Sequence, residues 1–382
     1  MTAADEIERR IQKLQCEMQS EGMDGLFILQ RVDLLYFSGT AQNGFLFIPA
    51  EGAPILLVKK YLPRAMAESP LKNIIQIQSV KDIPGHIVQY YGKVPHRMAL
   101  EWDVMPVREF HFFRRIFADS KCLDGSPLIH AVRAIKSDWE IIQIEKATQQ
   151  SARAFDYIQN NLMPGHTRLE LAGMVENFTR AAGHGGRFRI RDYQKKGFTA
   201  QTLLQSGAGT IEPPCFPEVS QGTALLVKTE KKVKYGDSFP MESRFVLNGY
   251  HVDEARTFAM GSLKGEAAGV SRSVLDLYNE LLVGLRPGFE IGEWIKRVKK
   301  KTRPFYSSLS ITGHGIGLEL IEPPFIGPES KQMLERGMVL AVGVETGMDS
   351  PLRAGMKSVV LVTQKGHRTL SRVPACVLTC PC

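Results

Sequence analysis

The sequence has no run of eighteen apolar residues, so no segment reads as a transmembrane helix. Its six cysteines in 382 residues are too few for a disulfide scaffold. Three of them, Cys376, Cys380 and Cys382 in CVLTCPC, crowd the end of the chain. The usual disorder of termini predicts a reduced, frayed tail there rather than a thiolate metal site. The opening stretch, MTAADEIERRIQKLQCEMQSEG, lacks the basic start and apolar core of a secretory signal, and a cytoplasmic protein is expected. Aromatics are absent from both basic runs, KTEKKVK (228–234) and KRVKKKTR (296–303). Despite a net charge of +8, nucleic-acid binding is therefore not expected; the runs read as solvated faces that favour anionic ligands.

What is present is a soluble globular composition, with 43% apolar and 23% charged residues. A chain of this length exceeds one ordinary core, and two domains are expected, 1–133 and 134–382. In the first, Ile7, Ile11, Leu14 and Met18 recur at helical spacing. GLFILQ, DLLYFSG, NIIQIQSV and RMALEW carry strand signals, and GFLFIPAEGAPILLVK reads as a hairpin turning at Gly52 and Pro54. VREFHFFRRIFAD reads as a helix. His86, His96, His111 and His130 are scattered singly and read as structural.

The second domain opens at KSDWEIIQIEKATQQSARAFDYI, where Ser137 and Glu140 have capping-box spacing. Positions 144, 147, 151, 154 and 158 mark one apolar helical face. The domain repeats itself. Pro164–Gly165 and Pro287–Gly288 each stop one helix just before a second, and strands follow each pair. Two similar halves would enclose a cleft, a natural place for a site.

Three segments carry candidate chemistry. In MESRFVLNGYHVDEARTF (241–258), the Asn248–Gly249 pair signals a hairpin that returns Asp253 toward Glu242. Close carboxylates bind cations or share a proton, whereas the plainer reading is two surface acids beside a turn. Arg256 offers a neutralising charge. In ITGHGIGLELIEPPFIG (311–327), Gly313 and Gly315 let backbone or ligand approach His314. The plainer reading is a hydrogen-bonded core histidine. In GMVLAVGVETGMDSPLRAGMKSVVLVT (337–363), two buried-strand runs flank Glu345 and Lys357.

Together these segments resemble the pita-bread metallopeptidase family, which includes aminopeptidase P, prolidase, methionine aminopeptidase and creatinase. VDLLYFSGT and FLFIPAEGAPILLV resemble the smaller N-terminal domain of its aminopeptidase P and creatinase branch. NGYHVDEARTF, GHGIGLELIEPP, ERGMVL and SVVLVTQKG match the catalytic domain in order. The resemblance implies a two-domain α/β (α+β) chain with a pita-bread C-terminal domain, and a homodimer.

It also implies a site for two divalent cations held by Asp, Asp, His, Glu and Glu. By position these fall on Glu242, Asp253, His314, Gly343 and Lys357. A glycine has no donor and a lysine repels cations. A further family histidine falls on Ile321, and a pocket histidine is missing from QSGAGTIEPPCFPE. Two dications are thus not expected, because too few carboxylates remain to balance them. A single cation on Glu242, Asp253, His314 and Glu345 stays open if a bulge brings Glu345 closer. The expected occupant is a small molecule or peptide. The chain is expected either to hydrolyse a small C–N bond without two metals, through His314, Glu242, Asp253 and Lys357 with Arg256, Glu322 and Glu345 contacting substrate, or to bind a ligand there without catalysis. The alternative is an active Xaa-Pro peptidase with a rearranged site.

Overall fold

The structure is a computed structural model, and it describes residues 4–191, 202–204, 232–302, 309–347, 350 and 352–381. QSGAGTIEPPCFPE, the first four residues of KTEKKVK, and Cys382 lie outside the described residues. The chain divides into two compact units, Met1–Arg133 and Ala134–Cys382.

In the first unit, α1 (Ala4–Ser20) buries Ile7, Ile11, Leu14 and Met18, the stripe its spacing dictates. The strands β1 (Gly25–Ile28), β2 (Gly44–Pro49), β3 (Ile55–Val58), β4 (Asn73–Gln76), β5 (Arg97–Leu100) and β6 (Lys121–Asp124) form one sheet in the order β4-β3-β2-β1-β5-β6. The hairpin expected at 44–58 is the β2–β3 pair, with Gly52 at φ 105° in its turn. The helices are α2 (Arg31–Ser38), α3 (Leu62–Glu68), α4 (Ile83–Tyr91), α5 (Val107–Ile116) and α6 (Ser126–Ala134).

The strand expected at DLLYFSG is instead α2. A short apolar run suits either conformation, and the ends decide between them. The Gln30 side chain accepts from the Val32 and Asp33 N–H groups, which caps a helix. Gly39, at φ 80°, closes it.

The second unit begins with α7 (Asp138–Asn161), capped reciprocally by Ser137 and Glu140 as the sequence predicts. α8 (Arg168–Ala181) follows. Next come β7 (Thr202–Leu204), β8 (Ser238–Leu247) and β9 (Tyr250–Met260), then α9 (Gly265–Val283) and α10 (Ile291–Thr302). The remaining strands are β10 (Leu309–Gly315), β11 (Glu322–Phe325), β12 (Val339–Thr346), β13 (Gly355–Val362), β14 (His367–Thr369) and β15 (Leu378–Cys380). They make a nine-stranded sheet with the path β11-β10-β12-β13-β9-β8-β7; β14 pairs with β13 and β15 with β9.

The internal repeat is visible in hydrogen bonds. At the first Pro-Gly turn, Gly165 N–H donates to Val233 O, and Val233 N–H donates to His166 O, both at 2.8 Å. At the second, Gly288 N–H donates to Leu334 O, and Leu334 N–H donates to Phe289 O, again at 2.8 Å. Each helix pair packs its own part of the sheet. Phe155 and Ile158 of α7 and Leu171 of α8 share a core with Phe239 of β8 and Phe258 of β9. Leu281 of α9 and Trp294 of α10 share another with Val342 of β12 and Val360 of β13. Each such side chain contributes about 1.5–3 kcal/mol through burial.

The described part of the tail is not frayed. β15 runs parallel to β9, with Leu378 beside Phe258, and Leu378 and Cys380 are buried. Apolar partners at alternate positions supply what the terminus alone would lack.

Candidate functional site

The β8–β9 hairpin turns at Asn248 (φ 51°) and Gly249 (φ 89°). Its register sets Glu242 opposite Ala255 and Arg244 opposite Asp253. Ala255 in turn faces Lys357 on β13, Lys357 faces Gly343 on β12, and Gly343 faces Thr312 on β10. One row across five strands therefore carries Glu242, Lys357 and Gly343. Asp253 and His314 lie two residues along their own strands, on the same sides as Ala255 and Thr312.

Side chains close the cluster. Lys357 Nζ donates to Glu242 Oε1 at 2.8 Å and to Asp253 Oδ2 at 3.1 Å. Arg244 Nη2 donates to Glu242 Oε1 at 2.8 Å, and its Nε lies 3.8 Å from Asp253 Oδ1. His314 Nε2 is 3.3 Å from Asp253 Oδ2, and its Nδ1 is 2.9 Å from Gly315 O. The Asp253 side chain is 2% exposed, those of Arg244 and His314 are 13% exposed, and that of Lys357 is 14% exposed. Burial alone would raise the Asp253 carboxyl; Lys357, His314 and Arg244 overcome it and hold the group well below the usual carboxylate range. Burial opposes the Lys357 charge as well, yet Asp253 and Glu242 lift its ammonium above the ordinary lysine range. A cavity beside the cluster is lined by Glu242, Thr312, Glu345, Gly355 and Lys357, among others.

Of the residues expected at the site, Glu242, Asp253, His314 and Lys357 come together. Arg256 does not. Three residues from Asp253 on a strand, it points to the opposite face. It is fully buried and donates to the carbonyls of Ala255, Lys357, Val373 and Pro374 and to the Ser358 hydroxyl. It cannot contact substrate or neutralise Asp253. Glu322 is buried and engaged in the fold; it accepts from Lys136 Nζ at 3.3 Å and from Glu319 N–H at 2.8 Å. No bulge draws Glu345 inward. The β12 ladders to β10 and β13 run unbroken through Gly343 and Glu345, so Glu345 stays one step along the strand.

Arg244 is the functional candidate that the sequence reading missed. The available signal was its place two residues after Glu242 on a strand, which puts both on one face.

A cation placed between Glu242 and Asp253 would meet the Lys357 ammonium, and position 343 supplies no side chain. A Cβ there would come within 2.9 Å of Lys357 Cβ and 2.8 Å of Met356 O. Among the described residues, no three His, Cys, Asp or Glu side chains are placed to hold a metal ion together. The residues present do not fit the dinuclear centre that the resemblance implies.

Two known families match along the chain, the Creatinase/Prolidase N-terminal domain over residues 10–135 and Metallopeptidase family M24 over residues 142–364. An Xaa-Pro dipeptidase of Pyrococcus furiosus is 25% identical over 378 residues, covering 96% of this chain and 98% of that protein. An uncharacterized peptidase of Bacillus subtilis is 23% identical over 380 residues, with 96% and 98% covered. Among solved structures, an Xaa-Pro dipeptidase from Bacillus anthracis superposes with a TM-score of 0.82 at 20% identity, over 98% of this chain and 99% of that one. An X-Pro aminopeptidase from Thermotoga maritima gives 0.79 at 21% identity, over 94% and 99%. The fold is thus the two-domain pita-bread arrangement of the prolidases, and the chain belongs to metallopeptidase family M24 with a creatinase/prolidase N-terminal domain.

Proposed function

We propose that the C-terminal unit binds a small-molecule or peptide ligand at the Glu242–Asp253–Lys357 cluster without two-metal hydrolysis. The observation that carries this is the Lys357 ammonium, 2.8 Å from Glu242 and 3.1 Å from Asp253. Two-metal hydrolysis needs ions that activate water and clamp the carbonyl. Here Lys357 occupies the space between the two carboxylates and neutralises part of their charge, which works against a dication binding there. The protein works as a homodimer in the cytoplasm on this reading, and sedimentation velocity tests the dimer.

A second reading keeps some chemistry. His314 Nε2 lies 3.3 Å from Asp253 at the cluster, and a turn of the ring off Gly315 O would present a nitrogen to substrate. Metal-free hydrolysis of a small C–N bond would use His314 in that role.

Elemental analysis of the purified protein, with Xaa-Pro dipeptide assays in added Mn²⁺ or Co²⁺, tests the proposal. The expected result is no stoichiometric metal and no turnover. Two equivalents of transition metal together with Xaa-Pro cleavage would establish the peptidase alternative instead. Turnover of small amides that persists in chelator and vanishes in His314→Ala would support the second reading.

A further inference from the structure

We propose that Arg244 and Lys357 act as a built-in pair of cations, one on each oxygen of Asp253, each standing where a dinuclear centre would hold an ion. This rests on the metal-free reading above and extends it to a residue outside the five positions of the family's ligand set. The two cations divide Asp253 between them. Lys357 Nζ lies 3.1 Å from Oδ2, and Arg244 Nε lies 3.8 Å from Oδ1. Glu242 Oε1 joins them, 2.8 Å from each. A carboxylate with one cation on each oxygen and a second carboxylate shared by both is the pattern of a bridged pair. His314 sits on the Oδ2 side with Lys357, which distinguishes the two positions.

Charge closes the same way. The full ligand set is four carboxylates against two dications; here two carboxylates stand against two monocations. Lysine alone would leave the group one charge short, so the loss of carboxylates at 343 and 357 needs Arg244 as well. Arg244 comes from β8, beside Glu242 and opposite Asp253 in register, so the strand pairing holds it on the cluster.

The test is a metal count across variants, each checked for folding by circular dichroism. Gly343→Glu with Lys357→Glu restores two carboxylates but leaves Arg244 in place. Dialysed against Mn²⁺ and analysed by plasma mass spectrometry, it is expected to hold one equivalent. Adding Arg244→Ser raises the count to two, whereas adding Arg244→Lys keeps it at one. Equal counts with and without the Arg244→Ser change, or no uptake in a folded double variant, overturn the assignment. If the triple variant does not fold, Lys357→Gln with and without Arg244→Gln serves. Mn²⁺ is then expected to raise the Tm of the doubly changed protein more than that of Lys357→Gln, and equal shifts overturn the idea. Metal-dependent Xaa-Pro cleavage by the unmodified chain would instead sink the parent reading, a result the variant counts cannot produce.

Discussion

The stem of Lys357 rests on Gly343: a Cβ added at 343 would lie 2.9 Å from Lys357 Cβ and 3.0 Å from its Cγ. The two positions are Cα partners across β12 and β13, so the lysine occupies the space its neighbour leaves empty. Gly343→Ala is therefore expected to destabilise the protein by about 1–3 kcal/mol through overpacking. The double change Gly343→Ala with Lys357→Gly, which removes both the Cβ and the Cγ in the way, should cost less than the sum of the two singles. Urea denaturation of the four proteins measures both statements, and strict additivity would contradict the contact.

Lys357→Met removes the ammonium and keeps the stem. It leaves Glu242 and Asp253 facing each other with Arg244 and the His314 contact to offset them. A loss of roughly 3 kcal/mol is expected, as for a broken buried ion pair. High salt should recover little of it, because the group is shielded from solvent. A change within 0.5 kcal/mol would show that the cluster is not electrostatically coupled.

Acid sensitivity should begin at a different place. His251 is fully buried; its Nε2 accepts from Arg189 N–H, and its Nδ1 faces Gly317 O. The neutral ring, donating from Nδ1, satisfies both contacts. Burial pushes its pKa down to about 3. The unfolded chain takes up this proton below its ordinary value of about 6.5, and the native state does not. Stability therefore falls between pH 6.5 and 3, by up to about 1.4 kcal/mol per pH unit from this group. Asp253, with a depressed folded value, adds its loss only below about pH 4. On the alkaline side, the raised Lys357 holds its contribution up to about pH 10 and loses it above. Unfolding free energies measured from pH 3 to 11 check the profile; His251→Gln should make the limb between 6.5 and 4 shallower, leaving the part that buried His184, pushed down to about 4, contributes.

The C-terminal strand predicts a selective thiol pattern. Burial pushes the Cys380 thiol up to about 11, while Cys376 is exposed. Iodoacetamide labelling of the native protein, read by peptide mass mapping, should modify Cys376 and spare Cys380. Leu378→Asp, which places a charge against Phe258, should expose Cys380 and lower stability by several kcal/mol.

Strand parity explains what the sequence revealed of the site. The Asn-Gly turn and the eleven-residue spacing of Glu242 and Asp253 foretold their convergence. Lys357 followed from position within a resemblance. Arg256 was misplaced because proximity in sequence outweighed parity: an odd separation from Asp253 sends it through the sheet. Arg244 carried the matching parity and no family precedent, so nothing drew notice to it. In the fold, α2 and β15 were missed for one reason. Short apolar segments take their conformation from end caps and from neighbours on the sheet, and neither is written in the segment itself.

Because Lys357 and Arg244 are carried on β13 and β8, the acids of this pocket meet their counterions the moment those strands zip together. On the metal-free proposal, nothing would have to be delivered afterwards: a newly made copy would mature without an ion supply, and a chelating environment would leave it intact.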